Sequence, residues 1–301
     1  MIPTIKRRLS YFLVLALMLL SGISHGQNTS ITLMKKTTLK QLWQDSRATH
    51  FQAPTHSELR QAQQLFQRHF LGEWNTELEQ AWQDLGFEAQ LINIKPGQPY
   101  LIIKEQANQR QGRGFFVFNR QSQSSAILQA PHSFKDSYTG SIAFKWFIEG
   151  DYRAGAWNTI PRDSIDVAHA PDSYFNAFSR ALGRHIPQAR LIQLHGFAQH
   201  KRRSDPGRSA DIILSAASQW PTPQVQTITT CARQQLPHKV RIFPLDVSEL
   251  GGTLNINAAV LRQTGQNDFI HLEMSKKLRR KLLKDQTLRS RLSDCMIEGM
   301  Q

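Results

Sequence analysis

Hydrophobic positions along this chain change their period twice. From Ser57 to Leu71, apolar Leu59, Ala62, Leu65, Phe66 and Phe70 recur at helical spacing, with Ser57 placed to cap the helix. A second helix is expected around Trp74–Leu85. Upstream, residues 28–55 show little periodicity and read as a leader to the folded part. Short apolar runs at Glu88–Ile94, Tyr100–Lys104 and Gly114–Phe118, broken by Pro-Gly, Gln and Arg-Gly stretches, then predict strands joined by turns.

Beyond residue 124 the two periods alternate. Strands are expected at Ser125–Ala130, Ala154–Thr159, Arg190–Leu194, Ala210–Leu214, Lys239–Phe243 and Asp268–Leu272. Helices are expected at Gly140–Ile148, Asp172–Ile186 and Thr222–Leu236, with a short one at Ile256–Leu261 and one or two basic ones from Ser275 to Met296. Alternation of this kind predicts an α/β fold: a central, largely parallel mixed sheet flanked by helices. No internal repeat or low-complexity segment interrupts it.

The N-terminus has its own pattern. Lys6, Arg7 and Arg8 precede an apolar run from Tyr11 to Leu20, and Ser24-His25-Gly26 follows with small residues at −3 and −1. The run is short for a membrane span and suits a cleaved secretory signal, with an uncleaved anchor as the competing reading. The expected organisation is therefore a signal peptide over 1–26, an N-terminal helical segment over 27–95 and an α/β catalytic-type domain over 96–301. Export places the mature protein in the periplasm or outside the cell, with no stable membrane insertion once the signal is gone.

Charge changes the picture modestly. The chain carries a formal +14, three of which leave with the signal, and the rest are scattered apart from Lys276–Lys284. Such a charge favours anionic partners, an envelope polymer among them. Export and the lack of a recognition motif argue against nucleic acid. Leu278, Leu282 and Leu283 share one face of the basic run, which is either a helix packed on the sheet or a docking element. Cys231 and Cys295 are either a disulfide pair or two buried thiols, and two cysteines are too few for a thiolate zinc finger. The chain has no phosphate-binding Gly-Lys-Ser/Thr loop and no Gly-x-Ser-x-Gly elbow.

Candidate chemistry gathers at strand ends. Ser125–Ala130 leads into His132 and Asp136, Arg190–Leu194 into His195, and Asp268–Leu272 into Glu273. Open α/β sheets bind ligands just outside the carboxyl ends of their strands. Two imidazoles and a carboxylate can hold a zinc ion with a position left for water, and a further carboxylate can move the water's proton. His132, Asp136 and His195 are the candidate ligands and Glu273 the candidate base. Asp166 and His169 either line the site or form an exposed turn. His271, on Glu273's face of its strand, either supports the site or packs in the core. His200 with Lys201, Arg202 and Arg203 is either a solvated loop or an anion-binding one.

This arrangement resembles the zinc carboxypeptidase-like amidohydrolases, and among them the branch that includes N-formylglutamate amidohydrolases. The resemblance rests on His132 with Asp136, on His195 in Leu-Ile-Gln-Leu-His-Gly and on Glu273 in Phe-Ile-His-Leu-Glu-Met, across roughly residues 125–275. It implies a phosphorylase/carboxypeptidase-like fold, a zinc cofactor and cleavage of an amide bond in a small peptide or N-acyl amino acid. It also implies Arg162 as a clamp for a substrate carboxylate; His169, where it lines the site, is a candidate substrate contact read from the residues alone. In the peptidase pattern two residues separate the first His from its acid, whereas three separate His132 from Asp136. The alternative is a non-catalytic binding protein for anionic envelope polymers or small ligands.

Overall fold

The computed structural model describes residues 32–33, 36–186 and 188–297, so the signal peptide expected over 1–26 lies outside the described residues. Among the described residues no helix is long and apolar enough to cross a membrane.

Among the described residues ten strands form one mixed sheet: β1 (Thr32–Leu33), β2 (Phe87–Lys95), β3 (Gln98–Glu105), β4 (Phe115–Asn119), β5 (Ala126–Ala130), β6 (Ala154–Trp157), β7 (Arg190–Phe197), β8 (Ile212–Ser215), β9 (Val240–Ile242) and β10 (Phe269–Ser275). Their order is β1-β2-β3-β4-β6-β5-β7-β10-β8-β9. The central four, β6, β5, β7 and β10, are parallel. An antiparallel meander of β2, β3 and β4 flanks one side, and β8 runs antiparallel to β10 on the other. Strands β4 to β6 are buried throughout, as a sheet covered on both faces requires.

Helices cover the two faces, and period-two alternation sorts the strand residues between them. Against one face lie α1 (Lys36–Asp45), α4 (Thr139–Glu149), α7 (Pro223–Gln235), α9 (Lys276–Lys284) and α10 (Gln286–Ile297), packed on Val117, Leu128, Ile192, Leu194, Ile270 and Leu272. Against the other lie α2 (His56–Phe70), α3 (Thr76–Asp84), α5 (Tyr174–His185) and α8 (Ile256–Gln263), packed on Phe116, Phe118, Ile127, Leu191 and Phe269. The short α6 (Asp205–Ser209) lies in the loop between β7 and β8.

Two expectations are corrected. The stretch read as a leader contains α1, whose Leu39 and Trp43 are buried; its apolar positions, Leu39, Leu42 and Trp43, were too few to stand out. The cap of α2 is Thr55 rather than Ser57. Its hydroxyl accepts from the Glu58 backbone N–H at 3.2 Å, while the Glu58 carboxylate accepts from the Thr55 N–H at 2.7 Å, a reciprocal capping box. The cysteine question closes as well: Cys231 on α7 is bonded to Cys295 on α10.

Candidate metal centre

The sheet face toward α5 and α8 changes character along its length. Reading toward the carboxyl ends, β5 presents Ile127 then Gln129, β7 presents Leu191, Gln193 then His195, and β10 presents Phe269, His271 then Glu273. Each strand passes from apolar to polar, so the interior becomes a buried polar pocket at one edge. Parallel pairing of β7 with β10 sets His195 directly beside Glu273 and His271 beside Gln193. The sequence placed His195 and Glu273 just past their strands; both strands run on, to Phe197 and Ser275, so both residues lie within them.

His132 comes from the turn after β5. The Asp136 backbone N–H donates to the His132 carbonyl at 2.9 Å, closing one helical turn. That turn brings residues four apart onto one side, which is why three intervening residues still deliver the carboxylate. The Asp136 Oδ2 atom lies 3.2 Å from His132 Nδ1 and is fixed by the Gly196 backbone N–H at 2.9 Å.

His132 Nδ1 and His195 Nδ1 face each other at 3.2 Å, and Asp136 Oδ2 is 4.0 Å from His195 Nδ1. In both rings the opposite nitrogen is already used. His132 Nε2–H donates to Asp166 Oδ1 at 2.8 Å, and His195 Nε2–H donates to Gln193 Oε1 at 2.8 Å. The two Nδ1 lone pairs and a carboxylate oxygen therefore point into one small space. Such a set is stable only with positive charge in its middle, either a proton or a metal ion. Tetrahedral zinc with N and O ligands spaces its ligand atoms by roughly 3.3–3.5 Å; two of the separations, at 3.2 Å, are close to that and the third, at 4.0 Å, is wider. The donors fit zinc, which takes imidazole and carboxylate together.

Electrostatics follow the same demand. Burial lowers the proton affinity of His132, but hydrogen bonds to Asp136 and Asp166 outweigh it and leave the ring raised. Burial, together with His271 and His132, holds His195 well below the ordinary histidine range, so its ring is neutral. Burial raises Asp166, yet the hydrogen bonds from His132 and His169 and the nearby Arg162 charge bring its carboxyl far below the usual range. Asp166 thus orients and charges the imidazole behind which it sits.

Glu273 is buried and its Oε2 has no hydrogen-bond partner among the described residues. Burial, reinforced by Asp136, pushes its carboxyl up to about 8. His271, also buried, has an Nδ1 with no partner among the described residues, and burial pushes it down to about 3. Ligand atoms of His195, His271 and Glu273 fall within 4.8 Å of one another, so His271 borders the site rather than only filling core. Gly252, at φ +60°, lies so close that a Cβ there would sit 2.7 Å from the His271 ring.

A cleft of about 690 Å³ opens over these groups. Arg162 and His169 both line it, and both are bound to Asp166, at 2.6 Å and 3.0 Å. His200 lies in a short 3-10 turn outside the cleft, while its neighbours Lys201 and Arg202 line it. The sequence reading missed Arg279, taken as one charge of a basic helix. It is buried, lines the cleft and donates to the Ser137 carbonyl at 2.9 Å. It also missed Gln129, Gln193 and Asn255; an amide inside an apolar strand, on the face of the following His, was the available signal for the first two.

No family model matches the sequence, and no curated protein matches it. Among solved structures the chain is similar to a bacteriophage poly-gamma-glutamate hydrolase, at 10% identity over 59% of this chain and 83% of that one, with a TM-score of 0.38. It is similar to succinylglutamate desuccinalase from Vibrio parahaemolyticus, at 8% identity over 70% and 78%, TM-score 0.39. It is also similar to the zinc-free apo form of YNDL, at 13% identity over 61% and 87%, TM-score 0.37. Likenesses of this depth leave the assignment to the side chains. Those define an α/β protein with a buried, acceptor-lined cavity suited to a divalent cation.

Proposed function

We propose that this protein is an exported zinc-dependent hydrolase of the carboxypeptidase-like amidohydrolase type, cleaving an amide bond in a small peptide or N-acyl amino acid. One observation carries the reading: two imidazole lone pairs and a carboxylate oxygen converge on one space, while each ring's other nitrogen is committed elsewhere. A zinc ion held by His132, Asp136 and His195 would polarise the scissile carbonyl and lower the pKa of a water in its open position to about 7.

The remaining work falls to the chain's own groups. Glu273 stands beside His195 in a water-poor setting with an unengaged oxygen, as a group that takes a proton and passes it on must be. Its raised proton affinity keeps it close to working pH, and a cation next door would lower it further toward neutrality. Asp166 and Gln193 hold the two imidazoles in orientation. At the mouth, Arg162 is the proposed clamp for a substrate carboxylate and His169 a second contact. Lys201 and Lys276, which line the cleft and have no ion pair among the described residues, add attraction for an acidic substrate. The exposed cations of α9, Lys276, Lys277, Arg280, Lys281 and Lys284, also suit an anionic, wall-derived substrate.

Export is supported by the basic–apolar–small pattern of residues 1–26 and by the Cys231–Cys295 disulfide, which suits an oxidising compartment. The test is a hydrolysis screen with the zinc-loaded chain on acidic N-acyl amino acids and short peptides. Turnover that a chelator abolishes and zinc restores is expected. Zinc binding with salt-sensitive polymer binding and no turnover would favour a non-catalytic role instead.

A further inference from the structure

The two imidazoles of the site are backed differently. Behind His132 stands a carboxylate, Asp166, whose side chain is 24% exposed. Behind His195 stands a neutral amide, Gln193, at the head of a hydrogen-bonded series that crosses the interior. Gln193 Oε1 accepts from His195 Nε2–H at 2.8 Å and from Asn255 Nδ2–H at 2.6 Å. Gln193 Nε2–H donates to Gln129 Oε1 at 2.8 Å, and Gln129 Nε2–H donates to Ser179 Oγ at 3.1 Å. Gln129, Gln193, Ser179 and Asn257 are fully buried and Asn255 nearly so. Four of the sheet's and helices' elements, β5, β7, α5 and the start of α8, are joined by it.

The direction of this series matters because an amide can present either an oxygen or an N–H to its neighbour. If Gln193 turned over, its Nε2–H would face His195 Nε2, and the ring would have to accept there and carry its proton on Nδ1. The lone pair aimed at His132 and Asp136 would then be gone. Asn255 prevents the turnover: its Nδ2–H needs an oxygen opposite, while its Oδ1 is occupied capping α8, accepting from the Asn257 and Ala258 N–H groups at 3.0 Å and 3.3 Å. The helix cap therefore fixes which end of Asn255 faces Gln193, Gln193 fixes the His195 tautomer, and that tautomer leaves Nδ1 free to bind a cation.

We propose that Gln193 and Asn255 are positioning residues that lock His195 as an Nδ1 ligand, through an amide relay anchored on the N-terminus of α8. The proposal rests on the zinc-site reading for its use, but the contacts that set the tautomer involve the chain's own groups alone. Gln193→Met fills the space without the oxygen, Gln193→Glu restores an acceptor, and Asn255→Asp keeps the helix cap while removing the donor that orients Gln193.

Two readouts separate the outcomes. In the metal-free chain, imidazole nitrogen NMR is expected to show His195 protonated on Nε2 in wild type and in Gln193→Glu, and a mixture including the Nδ1–H form in Gln193→Met and Asn255→Asp. Zinc affinity, measured by chelator competition, is expected to fall roughly 10–100-fold in Gln193→Met and Asn255→Asp, and to recover in Gln193→Glu. An Nδ1–H tautomer in wild type, or unchanged tautomer and zinc affinity in both Gln193→Met and Asn255→Asp, overturns the proposal. A wild-type chain that holds the Nε2–H tautomer yet takes up no zinc would overturn the hydrolase reading and leave the relay standing. Thermal unfolding of each metal-free variant identifies any loss of affinity that comes from a damaged fold, and the tautomer readout then decides.

Discussion

Two buried histidine clusters in this molecule have opposite characters. His69, on α2, faces α3, its Nε2 accepting from the Trp82 indole N–H at 2.7 Å and its Nδ1–H donating to the Glu73 carbonyl at 3.1 Å. Each nitrogen has one partner of the right kind, and Trp82, Trp74 and Phe118 pack around the ring. His132 and His195, by contrast, turn acceptor atoms toward each other and toward Asp136, with unpartnered atoms of His271 and Glu273 alongside. A satisfied buried histidine contributes to the fold. Buried acceptors that face one another cost stability unless something positive sits between them, and a chain that keeps such a set has a use for it. The difference lies in hydrogen-bond satisfaction, since both clusters are buried.

The largest expected effect breaks the functional cluster without touching its cation. Glu273→Gln keeps shape and removes the proton carrier, so turnover should fall about 10²–10⁴-fold while zinc stays bound, measured as steady-state rate and metal content on the same sample. Retained turnover would remove Glu273 from the chemistry.

The next sharpens the structural cluster. Burial pushes His69 down to about 4, against an ordinary value near 6.5. Because the folded-state value is the lower one, the unfolded chain binds the extra proton first. This contribution is complete above pH 6.5, falls as the pH drops toward 4 and levels off below it, for a total of about 3 kcal/mol. Protonation would set a second N–H against the Trp82 N–H. His69→Gln can accept from Trp82 and donate to Glu73 without titrating, so denaturant unfolding from pH 7 to pH 4 should show a flatter loss than wild type. Equal slopes would show that His69 is not the titrating group.

The smallest effect is expected at Arg162. Its guanidinium is partly exposed and already held against Asp166, so Arg162→Ala should cost at most about 1 kcal/mol of stability and leave zinc bound. A rise in KM with kcat unchanged would mark it as a substrate clamp.

Local patterns carried much of this into the sequence. Strand ends supplied His132, His195 and Glu273 because a charged or imidazole residue terminating an apolar run is visible locally, and period two put His271 on the face of Glu273. Asp136 was visible, although its use depends on the helical turn after β5, which spacing alone does not reveal. The relay was not legible as a unit: Gln193 and Asn255 meet from 62 residues apart, and Gln193 meets Gln129 across the β5–β7 pairing. Arg279 was hidden by its surroundings, since among the cations of α9 only tertiary packing distinguishes the buried one. Helix α1 was missed because its apolar stripe is short and its burial is supplied by α4, far along the chain.

Zinc content of the purified, untagged chain tests the central claim most directly, measured beside His132→Ala, His195→Ala and His69→Gln. One zinc per chain in wild type and in His69→Gln, lost in both His132→Ala and His195→Ala, is the predicted result. No zinc in wild type even after incubation with micromolar zinc, or full zinc in either site variant, would contradict it.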